Sequence, residues 1–109
     1  MHEVALTESI LDAIRSRLGE ARVVRVRLEI GRLNAVLPDA IRFAFEACTR
    51  DTPLDGARLE IDEVVAVGRC RACARESTLD GVVALCPCGS ANVEVVAGRE
   101  LNIKEVEVA

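Results

Sequence analysis

Four of the five cysteines fall in two close pairs, Cys70-Arg71-Ala72-Cys73 and Cys86-Pro87-Cys88-Gly89, separated by twelve residues. Thiolates are strong, soft donors, and two such pairs joined by a short hairpin can form the tetrahedron that Zn(II) prefers, with Zn–S near ~2.3 Å. A site closed by four thiolates keeps no open coordination position, so its role is structural rather than catalytic. The competing chemistry is a dithiol redox switch, because C-x-x-C is also an oxidoreductase motif. The first pair does not follow a strand running into a helix, which weighs against that reading. The second pair is C-x-C. One intervening residue still spans the roughly 3.7 Å between two sulfurs on a tetrahedral zinc, but in a tighter chelate ring. Arg69, Arg71 and Arg75 flank the first pair, either to offset the anionic charge of a zinc tetrathiolate or simply as a solvated basic face.

The single histidine is residue 2. With a free α-amine on Met1, that amine, the His2 amide nitrogen and the imidazole Nδ1 form fused chelate rings. A deprotonated amide nitrogen suits square-planar Ni(II) or Cu(II) and suits Zn(II) poorly. Such a site loses protons as metal enters, so it is sensitive to pH. The plain alternative is an exposed histidine in a flexible terminus, with no ligand role. Cys48 lies outside both cysteine pairs and is read as a small core residue.

The elements that must hold these groups follow from hydrophobic period. Leu6, Ile10, Ile14 and Leu18, with Leu11 beside them, place an amphipathic helix over residues ~3–18, ended by Gly19. Val24, Val26, Leu28 and Ile30 alternate with Arg25, Arg27 and Glu29, a strand with one buried face closed by Gly31. Pro38 suits the first turn of a second helix whose apolar face is Ile41, Ala44, Phe45 and Cys48. A turn-rich loop at 51–56 leads to a second strand around Leu59 and Ile61, running on towards Val67. Residues 68–97 hold the cysteines and short β-like pieces at Gly81–Leu85 and Asn92–Val96. The tail returns to strand. Its apolar phase slips between Ile103 and Val106, so a bulge is expected near Lys104-Glu105.

The expected fold class is α+β: a small mixed three-stranded sheet with two helices, plus an inserted zinc-ribbon-like module. The expected division is 1–67 with 98–109 as an α/β domain and 68–97 as the zinc module. Within 109 residues, half are apolar but only two are aromatic, so the core is aliphatic and modest, and a metal site is a common reinforcement. The net charge of −4 argues against a nucleic-acid surface. No apolar run approaches a membrane span, and Met1-His2-Glu3-Val4 lacks the flank of a signal peptide. The expected location is cytoplasmic, where five cysteines are metal ligands or free thiols rather than disulfides.

These segments together resemble a known family. Met1-His2-Glu3 followed by Leu6-Thr7-Glu8-Ser9-Ile10-Leu11 resembles the start of HypA, the nickel-incorporation family of nickel–iron hydrogenase maturation. Residues 29–46, from Glu29-Ile30-Gly31-Arg32-Leu33-Asn34 to Phe43-Ala44-Phe45-Glu46, look like that family's central block. Thr52–Leu59 and Gly98–Lys104 look like its later blocks, so the likeness runs through the whole chain. The resemblance implies a metallochaperone and not an enzyme. Its Ni(II) cargo would be held by Met1, His2 and the Glu3 backbone, and structural Zn(II) by Cys70, Cys73, Cys86 and, by position, Cys88. This chain is one residue short of the family pattern at Cys88. The implied partners are a HypB-type GTPase and the hydrogenase large subunit, with urease an alternative client and the chain a monomer or homodimer. A competing class is a zinc-ribbon adaptor that recruits a protein and carries no nickel.

Overall fold

The structure is a computed structural model that describes residues 2–34, 36–79 and 85–109. Helix α1 (His2–Leu18) is followed by strand β1 (Val23–Gly31), a 3-10 turn at Arg32–Asn34, helix α2 (Pro38–Cys48) and strand β2 (Arg58–Val64). Short strands β3 (Val67–Cys70), β4 (Glu76–Thr78) and β5 (Val93–Ala97) come next, and β6 (Leu101–Val108) ends the chain. Two three-stranded sheets result, ordered β2-β1-β6 and β4-β3-β5. The α+β class with two helices is as expected, with one more sheet than the sequence reading supplied. No helix among the described residues is long and apolar enough to cross a membrane.

The chain divides into two compact units: residues 1–28, 36–62 and 102–109 form the first, and 29–35 with 63–101 the second. In the first unit α1 and α2 pack together. Ile10, Leu11 and Ile14 meet a core completed by Ile41, Ala44 and Phe45 of α2, Val26 and Leu28 of β1, and Leu54 from the connecting loop. Leu6 and Leu18, at the ends of the expected α1 stripe, are only half-buried. Pro38 opens α2, where its missing N–H costs no ladder bond. Alternation in β1 holds from Val26 to Ile30. At its start Val23 is buried and Val24 is 38% exposed, the reverse of the expected phase.

Arg25 and Arg27 project from the other face of this sheet. Arg25 reaches Glu60 at 2.7 Å and Arg27 reaches Asp62 at 2.8 Å, so β1 and β2 advance in the same direction, as parallel neighbours do. Across on β6, Glu105 bonds both arginines and Glu107 bonds Arg25. Hydrogen bonds from Arg25 and then Arg27 hold the Glu105 carboxyl below its usual range. Ile103 and Val106 meanwhile both line a cleft with Ala13 and Ile14 of α1. Lys104 and Glu105 line the same cleft, and β6 runs on through them as one strand to Val108.

In the second unit β3 is the central strand, antiparallel to both β4 and β5. Gly68 on β3 leaves room for its neighbours: a Cβ there would meet Val93 Cγ1 at 2.5 Å and Leu79 Cδ2 at 3.1 Å. The strand expected to run from Leu59 to Val67 is two strands, β2 ending at Val64 and β3 starting at Val67, with Ala66 buried between them. The piece expected at Asn92–Val96 is observed as Val93–Ala97. Most of the piece expected at Gly81–Leu85 lies outside the described residues, and Leu85 itself is exposed and not in a strand.

Candidate metal centre

Both cysteine pairs sit on tight turns. Cys70 ends β3, and the chain folds back so that the Ala74 N–H donates to the Cys70 carbonyl at 2.8 Å while the Cys70 N–H donates to Arg75 at 2.9 Å. Ala74 takes φ +63°, the left-handed conformation that lets the turn close but strains a residue with a Cβ. The second turn repeats the plan. The Gly89 N–H donates to the Cys86 carbonyl at 2.9 Å, the Cys86 N–H donates to Ser90 at 3.0 Å, and Gly89 supplies φ +95° without strain. The Arg71 N–H donates to the Asn92 carbonyl, fixing the first turn beside β5.

These turns bring the four Sγ atoms of Cys70, Cys73, Cys86 and Cys88 within 4.8 Å of one another. Cys70 and Cys88 sulfurs are 3.7 Å apart, and Cys73 and Cys86 sulfurs 3.6 Å. The edge of a tetrahedron built on Zn–S bonds of ~2.3 Å is about 3.75 Å, so the cluster has the dimensions and the donor set of a zinc tetrathiolate. The shortened C-x-C pair closes the site in spite of its tighter ring, with the Cys88 N–H directed at Cys86 Sγ at 3.5 Å. Cys70 and Cys86 are buried, and Cys73 and Cys88 exposed.

Electrostatics point the same way. The Cys73 N–H, helped by that of Ala72, stabilises the Cys70 thiolate and pushes its pKa down to about 6 in spite of desolvation. Cys86 accepts the Cys88 N–H, but desolvation and the neighbouring sulfurs outweigh it and push its pKa up to about 12. Four thiolates so close cannot all ionise without a cation among them, and a bound divalent metal removes that obstacle.

Two of the flanking arginines, Arg69 and Arg71, bond side chains of the neighbouring strands and loop rather than sulfur. Arg69 pairs with Glu76 across β3 and β4 at 2.5 Å, and Arg71 bonds Asn92 and reaches Glu94. Cys48 is not part of the cluster. It ends α2 half-buried, less enclosed than its place on the apolar stripe suggested, because the helix stops there.

Of the residues at the other chemical feature, Met1 lies outside the described residues, His2 opens α1 and Glu3 occupies its first turn. Sequence reasoning missed Thr7. It is 1% exposed, and its hydroxyl donates to the Glu3 carbonyl at 2.7 Å. A threonine four residues after Glu3 on a helix was the available signal. It also missed Asn34, whose side-chain amide donates to the carbonyls of Gly31 and Glu100 and so clamps the close of β1 to the approach of β6.

Comparison with known proteins places this geometry. The family model for hydrogenase/urease nickel incorporation, metallochaperone, HypA matches residues 1–108. The hydrogenase maturation factor HypA of Geotalea uraniireducens is 52% identical over 109 residues, covering 99% of each chain. That of Nostoc punctiforme is 47% identical, covering 99% of this chain and 96% of the other. The fold is that of the solution structure of the Ni metallochaperone HypA from Helicobacter pylori. That protein is 20% identical, with a TM-score of 0.65 over 97% of this chain and 96% of that one. A match along nearly the whole chain, joined to a four-cysteine metal site, settles the classification: this chain belongs to the HypA family of nickel metallochaperones.

Proposed function

We propose that the chain carries Ni(II) as cargo at its N-terminus and delivers it to the large subunit of a nickel–iron hydrogenase during maturation, with structural Zn(II) held by Cys70, Cys73, Cys86 and Cys88. The nickel ligands are the Met1 α-amine, the His2 amide and imidazole, and the Glu3 amide nitrogen. The observation that carries this is the start of α1 at His2. The first N–H groups of a helix have no acceptor within it, so the His2 and Glu3 amides are not spent on the ladder. Deprotonated, they are anionic, and the positive end of a helix dipole favours negative charge at that place. Thr7 braces the Glu3 carbonyl from the next turn. Amide nitrogens select Ni(II), and four thiolates select Zn(II), so the two sites need not compete for one metal.

Zinc, when bound, supplies folding energy and neutralises the clustered thiolates. The chain's own part is to present those sulfurs from two rigid turns. Nickel leaves by ligand exchange, for which a planar site at a chain terminus is suited. The reading is of a carrier with no catalytic residue, acting in the cytoplasm with a HypB-type GTPase, as a monomer or homodimer. The description of the matching family names urease beside hydrogenase, which makes urease the second candidate client.

Metal analysis of untagged protein tests the reading. Zinc near one per chain, with one further nickel that His2→Ala abolishes while zinc stays, is the expected result. Zinc alone, with no specific nickel, would identify a zinc-ribbon adaptor instead.

A further inference from the structure

The four sulfurs of the metal centre are not equally placed. In each turn one cysteine is buried and one exposed: Cys70 and Cys86 lie inside, while Cys73 and Cys88 face solvent. The sulfur contacts at 3.6 and 3.7 Å run between the turns, Cys73 with Cys86 and Cys70 with Cys88. Each contact therefore sets an exposed sulfur against a buried one. An exposed thiolate is where an oxidant arrives. A second thiolate within reach turns the oxidised sulfur into a disulfide before it can go on to a sulfinic acid.

The connectivity follows from the same arrangement. Four cysteines allow three pairings. Pairing within the turns would join Cys86 to Cys88 across Pro87 alone, in a small ring that departs from relaxed disulfide geometry. The backbone of Cys86 is moreover already fixed by Gly89 and Ser90. A bond from Cys70 to Cys73 would leave Cys86 and Cys88 only each other, so that strain counts against the whole pairing. Joining Cys73 to Cys88 would leave Cys70 and Cys86 to pair in the interior, away from the oxidant. The remaining pairing is the one in which the sulfurs are already in contact.

We propose that this centre is also a site of oxidative modification, at which hydrogen peroxide converts the four thiolates into two cross-turn disulfides, Cys73–Cys86 and Cys70–Cys88, and zinc leaves. The Cys73 thiolate attacks one peroxide oxygen: an S–O bond forms, the O–O bond breaks, and hydroxide departs. The Cys86 thiolate then attacks the Cys73 sulfur: the S–S bond forms, the S–O bond breaks, and a second hydroxide departs. Solvent protons turn both hydroxides into water. The two sulfurs together lose two electrons, and the peroxide gains them. Cys88 and Cys70 repeat the sequence with a second peroxide, and Zn(II) departs without change of oxidation state as its donors are lost. The disulfides tie the same two turns that zinc tied, so the oxidised unit keeps β5 paired to β3. The inference rests on the reading of the centre as a zinc site.

The test uses the untagged full chain, with zinc content measured first. Hydrogen peroxide is added in steps, released zinc is read with a chromophoric chelator, remaining thiols are blocked in acid, and the chain is cut with trypsin. Cleavage after Arg71 and Arg75 places Cys70, Cys73 and the Cys86–Cys88 pair on three separate peptides. One zinc should be released for two peroxides, with all three peptides joined in a single disulfide-linked species. Fragmentation before Pro87 should assign Cys86 to the peptide of Cys73, and Cys48 should be recovered as a blocked thiol. Amides of β3 and β5 should exchange at least about tenfold more slowly in the oxidised chain than in reduced chain stripped of zinc. Dithiothreitol with added zinc should restore the starting metal content. Separate within-turn disulfides, Cys70 joined to Cys86, a disulfide to Cys48, sulfinic acid in place of disulfides, or zinc retained under excess peroxide would each overturn the proposal and leave the zinc reading intact. A starting protein without zinc would overturn the zinc reading, and the proposal with it.

Discussion

Replacing Gly31 by alanine tests the close approach of its backbone to that of Gly98. The added methyl would collide with the carbonyl carbon and oxygen of Gly98 and lie 2.6 Å from the Arg99 nitrogen. All three neighbours are backbone atoms, so no change of rotamer relieves the overlap. Gly98 cannot retreat freely either. Its N–H is held by Glu100 Oε1 at 2.7 Å, its carbonyl accepts the Leu33 N–H at 2.8 Å, and a Cβ on Gly98 would itself sit 2.6 Å from Ala66 Cα. Moving the segment far enough gives up the Leu33–Gly98 and Gly31–Glu100 hydrogen bonds, about 1 kcal/mol each. Residual overpacking adds about 1–3 kcal/mol. The sum, about 3–5 kcal/mol, is a large share of the ~5–15 kcal/mol that stabilises a typical domain. Urea unfolding of the zinc-loaded protein, read by circular dichroism, measures it. Gly19→Ala is the control: φ is +59° but nothing lies within 4 Å of the new Cβ. Only left-handed strain of about 1 kcal/mol applies there. A Gly31→Ala protein no less stable than Gly19→Ala would refute the steric reasoning.

Further outcomes follow from the metal centre. At pH 7.5 zinc uptake should release fewer than four protons, because Cys70, with its pKa near 6, is already thiolate, whereas Cys86, near 12, surrenders its proton only to the metal. Calorimetry in buffers of different ionisation enthalpy counts them, and a full four would contradict that order. Below pH 6 Cys70 is protonated as well, so the count should rise and zinc affinity fall. Cys48→Ala should keep full zinc and lose about 1 kcal/mol of stability, for a small half-buried side chain; a fall in zinc content would mean a fifth sulfur takes part. Cys73→Ala should release zinc and strip amide protection from residues 63–79 and 85–101 before the core around Ile14 and Ile41. Uniform loss of protection across the chain would show that the second unit is not a separate folding element.

Much of this was legible because the signals were periodic or chemically singular. The stripe of Ile10, Leu11 and Ile14 marked α1, Pro38 marked the start of α2, and four cysteines at close spacing marked the metal centre before any contact was known. What escaped had no period to show. β3 and β4 run only four and three residues, too short for alternation to rise above chance, and the break at Val65-Ala66 follows β2 without a proline or glycine to announce it. Gly31 read as a strand end, yet its smallness is required by the backbone of Gly98, a partner distant in sequence. Ala74 gave no hint of its positive φ, since alanine is not a turn residue by propensity and only closure of the sulfur cluster imposes that conformation. Val24 was assigned inward by parity, but at the end of β1 the register yields to the loop, where Val23 N–H bonds the Pro53 carbonyl.

In the proposed function nickel is held by the free N-terminal chelate of Met1, His2 and Glu3, beside a zinc site that neither gives nor takes nickel. One residue added ahead of Met1 converts the primary amine to a poorly donating amide and removes a terminal ligand, while leaving every side chain in place. Nickel titration by calorimetry on native and extended chains, with zinc content measured on both, separates this chelate from any site made of side chains alone. The native chain should bind one specific nickel and the extended chain none, with zinc unchanged in each. Equal nickel affinity in the two chains would contradict it.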